Sequence, residues 1–212
     1  METYGSQLTS AVGPEQYRRL ADAADFYKQY GFRYIDTPWL TQQKVNHVTK
    51  PRWARPIHHH VGALNHTFHI VASGEQSFLQ LQYEELKQGG KIIGRWQTIT
   101  PCYRDEQEIN DLHRIGFMKL ELIDWDDPTE KNLHSMIDQA FKCFKQYLTC
   151  CVVENDLIEE HGFDIVSECG RIELGSYGIR KGNIGGFDLR WIYGTGLAEP
   201  RLTLAIKDEI SR

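Results

Sequence analysis

The sequence has 212 residues, of which 41% are hydrophobic and 25% are charged. This composition is typical of a globular protein with one sizeable core, and it excludes a collagen-like or intrinsically disordered chain. The formal net charge of -5 excludes a protein that binds nucleic acid through an overall basic field, so any RNA contact would have to be local.

Two sequence patterns bear on the cellular location. No apolar run approaches the roughly 20 residues that cross a bilayer, and the N-terminus lacks a basic start followed by an apolar stretch. The five cysteines form no CxxC pair and no disulfide-rich pattern. We therefore expect a cytoplasmic protein with free thiols and no membrane contact.

The first predicted element is an amphipathic helix over residues 14–30, in which apolar side chains recur at spacings of three and four. Residues 32–40 are rich in aromatic and β-branched side chains and predict a strand that Pro38 stops or confines to a sheet edge. Residues 41–66 show no clear periodicity and are expected to form a long functional loop.

The rest of the chain mixes strands with helices. Strands are predicted over residues 67–72, 97–103, 117–125, 171–174 and 187–192, with a helix over 78–87. A further helix is expected to begin at Asp127-Pro128-Thr129-Glu130, with Asp127 as its capping side chain. After the last strand come a Gly-Thr-Gly turn and an apolar segment that starts near Leu202.

Charged side chains cluster at the tip of the predicted hairpin of residues 99–121. They are Arg104 and Glu106 at the end of the first strand and His113 and Arg114 in the loop, with Phe117 on the returning strand. An arginine can grip phosphate bidentately, and an aromatic side chain offers a face for a purine. The spacing alone leaves two interpretations open, a nucleoside triphosphate site and a surface hairpin with solvated charges.

A second cluster is the segment Gly194-Thr-Gly-Leu-Ala-Glu-Pro-Arg201. Its glycines would let the backbone approach a ligand, and Arg201 would add charge to an anion-attracting helix N-terminus. The spacing is not that of a P-loop. On its own the segment is either a ligand-binding turn or a structural one.

Taken together, these segments resemble the catalytic core of the class II aminoacyl-tRNA synthetases. Residues 30–38 resemble motif 1 of the family, residues 99–121 its motif 2 with the pattern YRDE…H…F.K.EL, and residues 194–205 its motif 3. The GTGLAxxR form is similar to that of seryl-type enzymes, and the spacing from histidine to phenylalanine in motif 2 to that of phenylalanyl-type ones. The resemblance implies an α+β fold, with an antiparallel sheet of about six strands flanked by helices, in a single catalytic domain over residues 1–212.

The resemblance also implies an ATP site. Arg104 would bind the α-phosphate and the substrate carboxylate, Arg201 would cover the adenine and contact the γ-phosphate, and both would be catalytic. The other ATP-binding residues would be Glu106 at the adenine, His113 and Arg114 at the outer phosphates, and Phe117 beneath the adenine.

Three carboxylates complete the implied site. Glu75 and Glu121 would bind the substrate, Glu75 by reading its α-amino group from the segment Ser73-Gly74-Glu75. Glu173 would hold Mg²⁺. A run of histidines, His58–His60, could suggest a metal site, but it has no cysteine partner nearby, so a role in the substrate pocket or its loop is favoured.

The implied activity is ATP-dependent activation of an amino acid or similar carboxylate as an acyl-adenylate, in a homodimer formed through motif 1. The acceptor would be tRNA, another RNA, a carrier protein or a small amine. No segment is long enough for an added anticodon-binding domain, so charging of tRNA is the step least supported. Two other interpretations stay open: a non-catalytic synthetase paralogue that binds a nucleotide or amino acid and regulates a partner, and an RNA-binding module.

Overall fold

The computed structural model describes residues 12–49, 57–61, 66–106, 108–155, 162–168 and 171–212. The helices in these ranges are α1 (Pro14–Lys28), α2 (Gln43–Thr49), α3 (Gly74–Lys87), α4 (Glu130–Phe144) and α5 (Arg201–Ile210). The strands are β1 (Arg33–Tyr34), β2 (Leu40–Thr41), β3 (His58–Val61), β4 (His66–Ile70), β5 (Arg95–Tyr103), β6 (Gly116–Asp124), β7 (Cys151–Asn155), β8 (Phe163–Ser167), β9 (Glu173–Ile184) and β10 (Phe187–Glu199).

The main sheet has seven strands in the order β1-β5-β6-β10-β9-β8-β7. Neighbouring strands of this sheet run antiparallel, except β1 and β5, which run parallel. Strands β2, β4 and β3 form a small second sheet. The expected α+β class, an antiparallel sheet flanked by helices, is confirmed, with seven strands in the main sheet rather than about six.

Strand β6 shows how the two faces of the main sheet differ. Leu120 and Leu122 pack into the larger core together with side chains of α1 and α4. Successive residues of a strand point to opposite faces, so Lys119 and Glu121 face the other way. On that face Ile123 belongs to a second core cluster with α3. The polar half of this face, next to the second cluster, is where a site can form.

Two predicted elements in the first third of the chain are corrected by the structure. The predicted strand over residues 32–40 is wrong in extent, because β1 and β2 have two residues each and belong to different sheets. The edge position is confirmed for β1. The loop expected over residues 41–66 contains α2 and β3, although residues 50–56 and 62–65 lie outside the described ranges, as do the side chains of His58 and His60.

The Gly-Thr-Gly segment is not a turn, because β10 runs through it to Glu199 with a bulge between Thr195 and Leu197. The side chain that caps the start of α4 is that of Thr129 and not that of Asp127. The Thr129 hydroxyl accepts from the backbone N–H of Asn132 at 3.4 Å. The four cysteines within the described ranges are free thiols, and Cys169 lies outside them. Within those ranges no helix is both long and apolar enough to cross a membrane.

Candidate functional site

A cavity of about 200 Å³ lies on the polar half of the sheet face that α1 and α4 leave uncovered. Residues of β6, β9 and β10 line it, together with the first turn of α3 and the first residue of α5. Its charged lining consists of four cations and three carboxylates: Arg104, Lys119, Arg180 and Arg201, and Glu75, Glu121 and Glu173.

Arg104 follows the last residue of β5 and turns into the cavity. Its Nε atom donates to the carbonyl oxygen of Ala72 at 3.2 Å. Its guanidinium carbon lies 5.0 Å from the ring centroid of Phe117 on β6, a cation–π distance. These contacts hold the guanidinium over an aromatic face in the lining of the cavity.

Arg201 is the first residue of α5 and reaches back to β9. Its Nη1 atom lies 2.8 Å from Oε1 of Glu173, in an ion pair whose side chains are 23% and 48% exposed. Because both side chains are partly solvated, the ion pair contributes little to stability, between about 0 and 1 kcal/mol. An incoming anion can therefore displace Glu173 from Arg201 at small cost.

The N-terminus of α5 already has an anion of its own. The Glu199 carboxylate is fully buried and accepts from the backbone N–H of Thr203 at 3.1 Å and from its hydroxyl at 2.7 Å. Arg19 of α1 pairs with Glu199 at 2.7 Å. Glu199 thus already fills part of this helix end, and the charged side chain from the first turn of α5 that lines the cavity is Arg201.

Glu75 enters the cavity from the first turn of α3. Gly74 permits the close approach, because a Cβ at that position would lie 2.9 Å from both the Glu121 Cβ and the Thr100 hydroxyl. The Glu75 carboxylate accepts from Trp191 Nε1 at 2.7 Å and forms an ion pair with Arg180. Burial is the main cause that raises the pKa of this carboxyl, and Arg180 opposes the shift.

Glu121 and Lys119 lie beside this group on β6. Lys119 Nζ is 3.0 Å from Oε2 of Glu121, which also accepts from the Ser73 hydroxyl at 2.8 Å. Glu121 is 1% exposed. Each inner carboxylate of the cavity is therefore matched by one cation.

Among the solved structures with a similar arrangement of helices and strands are aminoacyl-tRNA synthetases. The histidyl-tRNA synthetase of S. aureus aligns with a TM-score of 0.74 and 12% identity, over 95% of this chain and 69% of that one. The seryl-tRNA synthetase of Pyrococcus horikoshii, complexed with ATP, aligns at 0.68 and 14%, over 90% and 49%. The pyrrolysyl enzyme of Desulfitobacterium hafniense aligns at 0.65 and 18%, over 90% and 69%. No protein-family model and no curated protein sequence matches the chain.

The chain has the class II synthetase fold. It spans about half the length of the seryl enzyme. At these identities the likeness concerns the fold alone, so the roles of individual side chains depend on the geometry described above.

Six of the nine predicted site residues line the cavity of about 200 Å³. They are Arg104, Phe117, Arg201, Glu75, Glu121 and Glu173. Glu106 and Arg114 line an adjoining cleft of about 10 Å³ together with Arg104, Phe117 and Arg201. His113 lines neither; its side chain is exposed, and its backbone N–H donates to Asn110 Oδ1 at 2.9 Å.

Sequence reasoning missed the cations that balance the inner carboxylates, Lys119 and Arg180. The alternation along β6 could have found Lys119, because it lies between Phe117 and Glu121 on the same face. Finding Arg180 requires the register of β9 with β10, which places it opposite Trp191.

The metal prediction concerns Glu173. In the described part of the chain, no three His, Cys, Asp or Glu side chains are grouped as metal ligands. Mg²⁺ in nucleotide sites is usually bound by one or two carboxylates plus phosphate oxygens. A half-exposed carboxylate beside the arginine of α5 fits an ion that arrives with a nucleotide, and it does not fit a resident structural ion.

Proposed function

We propose that the protein is a synthetase-like ligase that uses ATP to activate an amino acid, or a similar carboxylate, as an acyl-adenylate. The observation that supports this most is the convergence of Arg104 and Arg201, from a strand end and a helix start, on one cavity beside Phe117. Adenylate formation is an in-line displacement at the α-phosphorus and needs positioned cations rather than a protein nucleophile.

In this proposal Arg104 would hold the α-phosphate and the substrate carboxylate together, so that the carboxylate oxygen can attack. Arg201 would exchange Glu173 for the outer phosphate. The cleft of about 10 Å³ between Glu106 and Phe117 is too small for a purine. The adenine would therefore enter only after the side chains on its loop side, Glu106 and Arg114, move apart.

Mg²⁺, when bound, would neutralise charge on the phosphates. Glu173 would hold it, and its carboxylate becomes available as soon as Arg201 turns to a phosphate. The complex of the Pyrococcus horikoshii seryl enzyme with ATP supports a nucleotide as ligand. Acceptors of the acyl group would be tRNA, another RNA, a carrier protein or a small amine.

A second candidate is a paralogue that binds a nucleotide or amino acid without catalysis. The same cavity supports it, because Arg104 and Arg201 can bind a nucleotide whether or not a reaction follows. The two candidates differ in turnover and share the binding site.

Calorimetry with ATP and Mg²⁺ tests the shared site. We expect saturable binding to the unaltered protein and loss of binding in Arg104→Ala, because the guanidinium is proposed to meet the α-phosphate. Arg18→Ala is the matched control, since Arg18 is exposed on α1. Unchanged ATP affinity in Arg104→Ala would refute the placement of the nucleotide.

A further inference from the structure

A network of polar side chains joins α1 to the first turn of α5. Arg19 of α1 donates through Nε to Oε1 of Glu199 at 2.7 Å and through Nη2 to the Thr203 hydroxyl at 2.5 Å. Thr203 in turn donates its backbone N–H to Oε2 of Glu199 at 3.1 Å and its hydroxyl to the same atom at 2.7 Å. Each of these three residues is therefore bonded to the other two.

This network lies outside the lining of the cavity. The side chain of Glu199 is fully buried, and that of Arg19 is 13% exposed. Neither Arg19 nor Thr203 lines the cavity in which the nucleotide is proposed to bind. Any effect of the network on nucleotide binding must therefore pass through another residue.

Arg201 is the residue that can transmit such an effect. It is the first residue of α5 and lies in the chain between Glu199 and Thr203. Because Glu199 and Thr203 are bonded to each other and to Arg19, the backbone on both sides of Arg201 is fixed against α1. The guanidinium of Arg201 can then turn from Glu173 to a phosphate while its Cα stays in place.

Stability alone gives little reason for a charged pair at this position. A buried ion pair often stabilises a protein no more than apolar side chains of similar volume, because both charges lose their hydration. Charge-assisted hydrogen bonds are short and directional, so they fix the distance and angle between the elements that they join. Glu199 also accepts from the Thr203 N–H, so this amide of the helix N-terminus is not available to a phosphate.

We propose that Arg19 is a positioning residue for the nucleotide, although it does not touch it. Through Glu199 and Thr203 it holds the first turn of α5 at the place from which Arg201 reaches the outer phosphates. This rests on the proposed function and adds to it how α1, about 180 residues earlier in the chain, sets the affinity of the site for ATP.

Calorimetry with ATP and Mg²⁺ in a double-mutant cycle tests the proposal. The paired variant Arg19→Met with Glu199→Gln removes both charges together, so that neither is left buried alone. We expect it to bind ATP about 10-fold more weakly than the unaltered protein, since a displacement of about 1 Å can cost up to about 100-fold. In an Arg201→Ala background the same paired change should alter ATP affinity by less than about twofold, because the residue through which it acts is gone.

AMP separates positioning from a general loss of structure. It lacks the outer phosphates, so the paired variant should bind it as tightly as the unaltered protein does. Thr203→Val removes one hydroxyl of the network at nearly constant volume and should weaken ATP binding selectively as well. It decides the matter if the paired variant fails to fold. Arg18→Met, at an exposed neighbouring position on α1, is the control and should leave both affinities unchanged.

Three results would show that the network is only structural: an equal loss of ATP affinity in both backgrounds, a parallel loss for AMP, or unchanged ATP affinity. Each overturns this inference and leaves the proposed function standing. If Arg201→Ala binds ATP too weakly to close the cycle, the ratio of ATP to AMP affinity decides. If the unaltered protein does not bind ATP, the proposed function fails and this inference with it.

Discussion

The Nη1 atom of Arg201 lies 2.8 Å from Oε1 of Glu173. The cation proposed for an outer phosphate is therefore paired with the carboxylate proposed for Mg²⁺. Binding of nucleotide and metal would break this ion pair, because Arg201 would then contact a phosphate and Glu173 would contact Mg²⁺. Nucleotide binding and metal binding are therefore coupled, because both break the same partly exposed ion pair, which contributes little free energy.

This link predicts how Glu173→Gln changes ATP affinity. Without Mg²⁺, the variant should bind ATP more tightly by up to about fivefold, because Arg201 no longer has a competing carboxylate. With Mg²⁺, that gain should vanish, since the proposed metal ligand is lost. Calorimetry at both conditions measures the ratio, with Glu85→Gln, an exposed position on α3, as the control. An unchanged Mg²⁺ dependence would contradict the role of Glu173.

The pair of Arg19 and Glu199 predicts a large stability effect. Glu199 is fully buried, and Arg19→Ala would leave its charge without a cation. Removing one partner of such a pair costs about 3–5 kcal/mol. Urea denaturation should show this loss for Arg19→Ala and a change within about 0.5 kcal/mol for Arg18→Ala. Equal effects of the two substitutions would show that the ion pair of Arg19 and Glu199 does not contribute to stability.

Two buried thiols predict a loss of stability at alkaline pH. Burial raises the pKa of Cys102 from 9.0 to about 11 and that of Cys143 to about 12. The folded thiols stay protonated while the unfolded ones ionise, so stability present below pH 9 is lost as the pH rises toward 11 and 12.

At pH 10 the free energy of unfolding should be lower than at pH 7 by about 1 kcal/mol for each of these two thiols. Urea denaturation at both pH values measures the loss, and the variant Cys102→Ala with Cys143→Ala should lose less than the unaltered protein. A double variant with the same pH dependence would show that these groups do not cause it.

The hairpin of β5 and β6 was predictable because its signals are local. Its alternating apolar residues and polar tip lie within one stretch of sequence, and the structure gives strands 95–103 and 116–124 where 97–103 and 117–125 were predicted. The segment 32–40 failed because its strands are defined by partners far along the chain, β5 for β1 and β4 for β2. Local propensity does not contain that information.

The position of Arg180 could have been predicted from a local signal that was not used. The turn between β9 and β10 is Gly185-Gly186, with φ of 59° and 96°, a conformation that favours glycine and a two-residue hairpin. Once that turn is recognised, counting outward from it pairs Arg180 with Trp191, as the structure shows. The sequence contained this signal, and the prediction did not use it.

Dimerisation through the motif 1 region stays a prediction, and the structure shows which aromatic residues near that region are accessible. Tyr27 and Phe32 are buried in the monomer core and are not available to a partner. Tyr34 and Trp39, 41% and 57% exposed, line a separate cavity of about 700 Å³. Exposed aromatic clusters of this kind are typical of interaction surfaces.

We expect light scattering at micromolar concentration to give the mass of a homodimer. Trp39→Asp should shift the protein to a monomer, because it places a charge on the exposed aromatic surface. Ile210→Asp, at the exposed end of α5, should leave the mass unchanged. A monomeric mass for the unaltered protein would refute the prediction.

The central claim is that the cavity forms an acyl-adenylate. Amino-acid-dependent exchange of labelled pyrophosphate into ATP measures that reversible step alone, without any acceptor. We predict exchange with at least one of the twenty amino acids and its loss in Arg104→Ala, with Arg18→Ala retaining it. Saturable ATP binding without exchange for any amino acid would contradict the claim and leave the nucleotide-binding paralogue in its place.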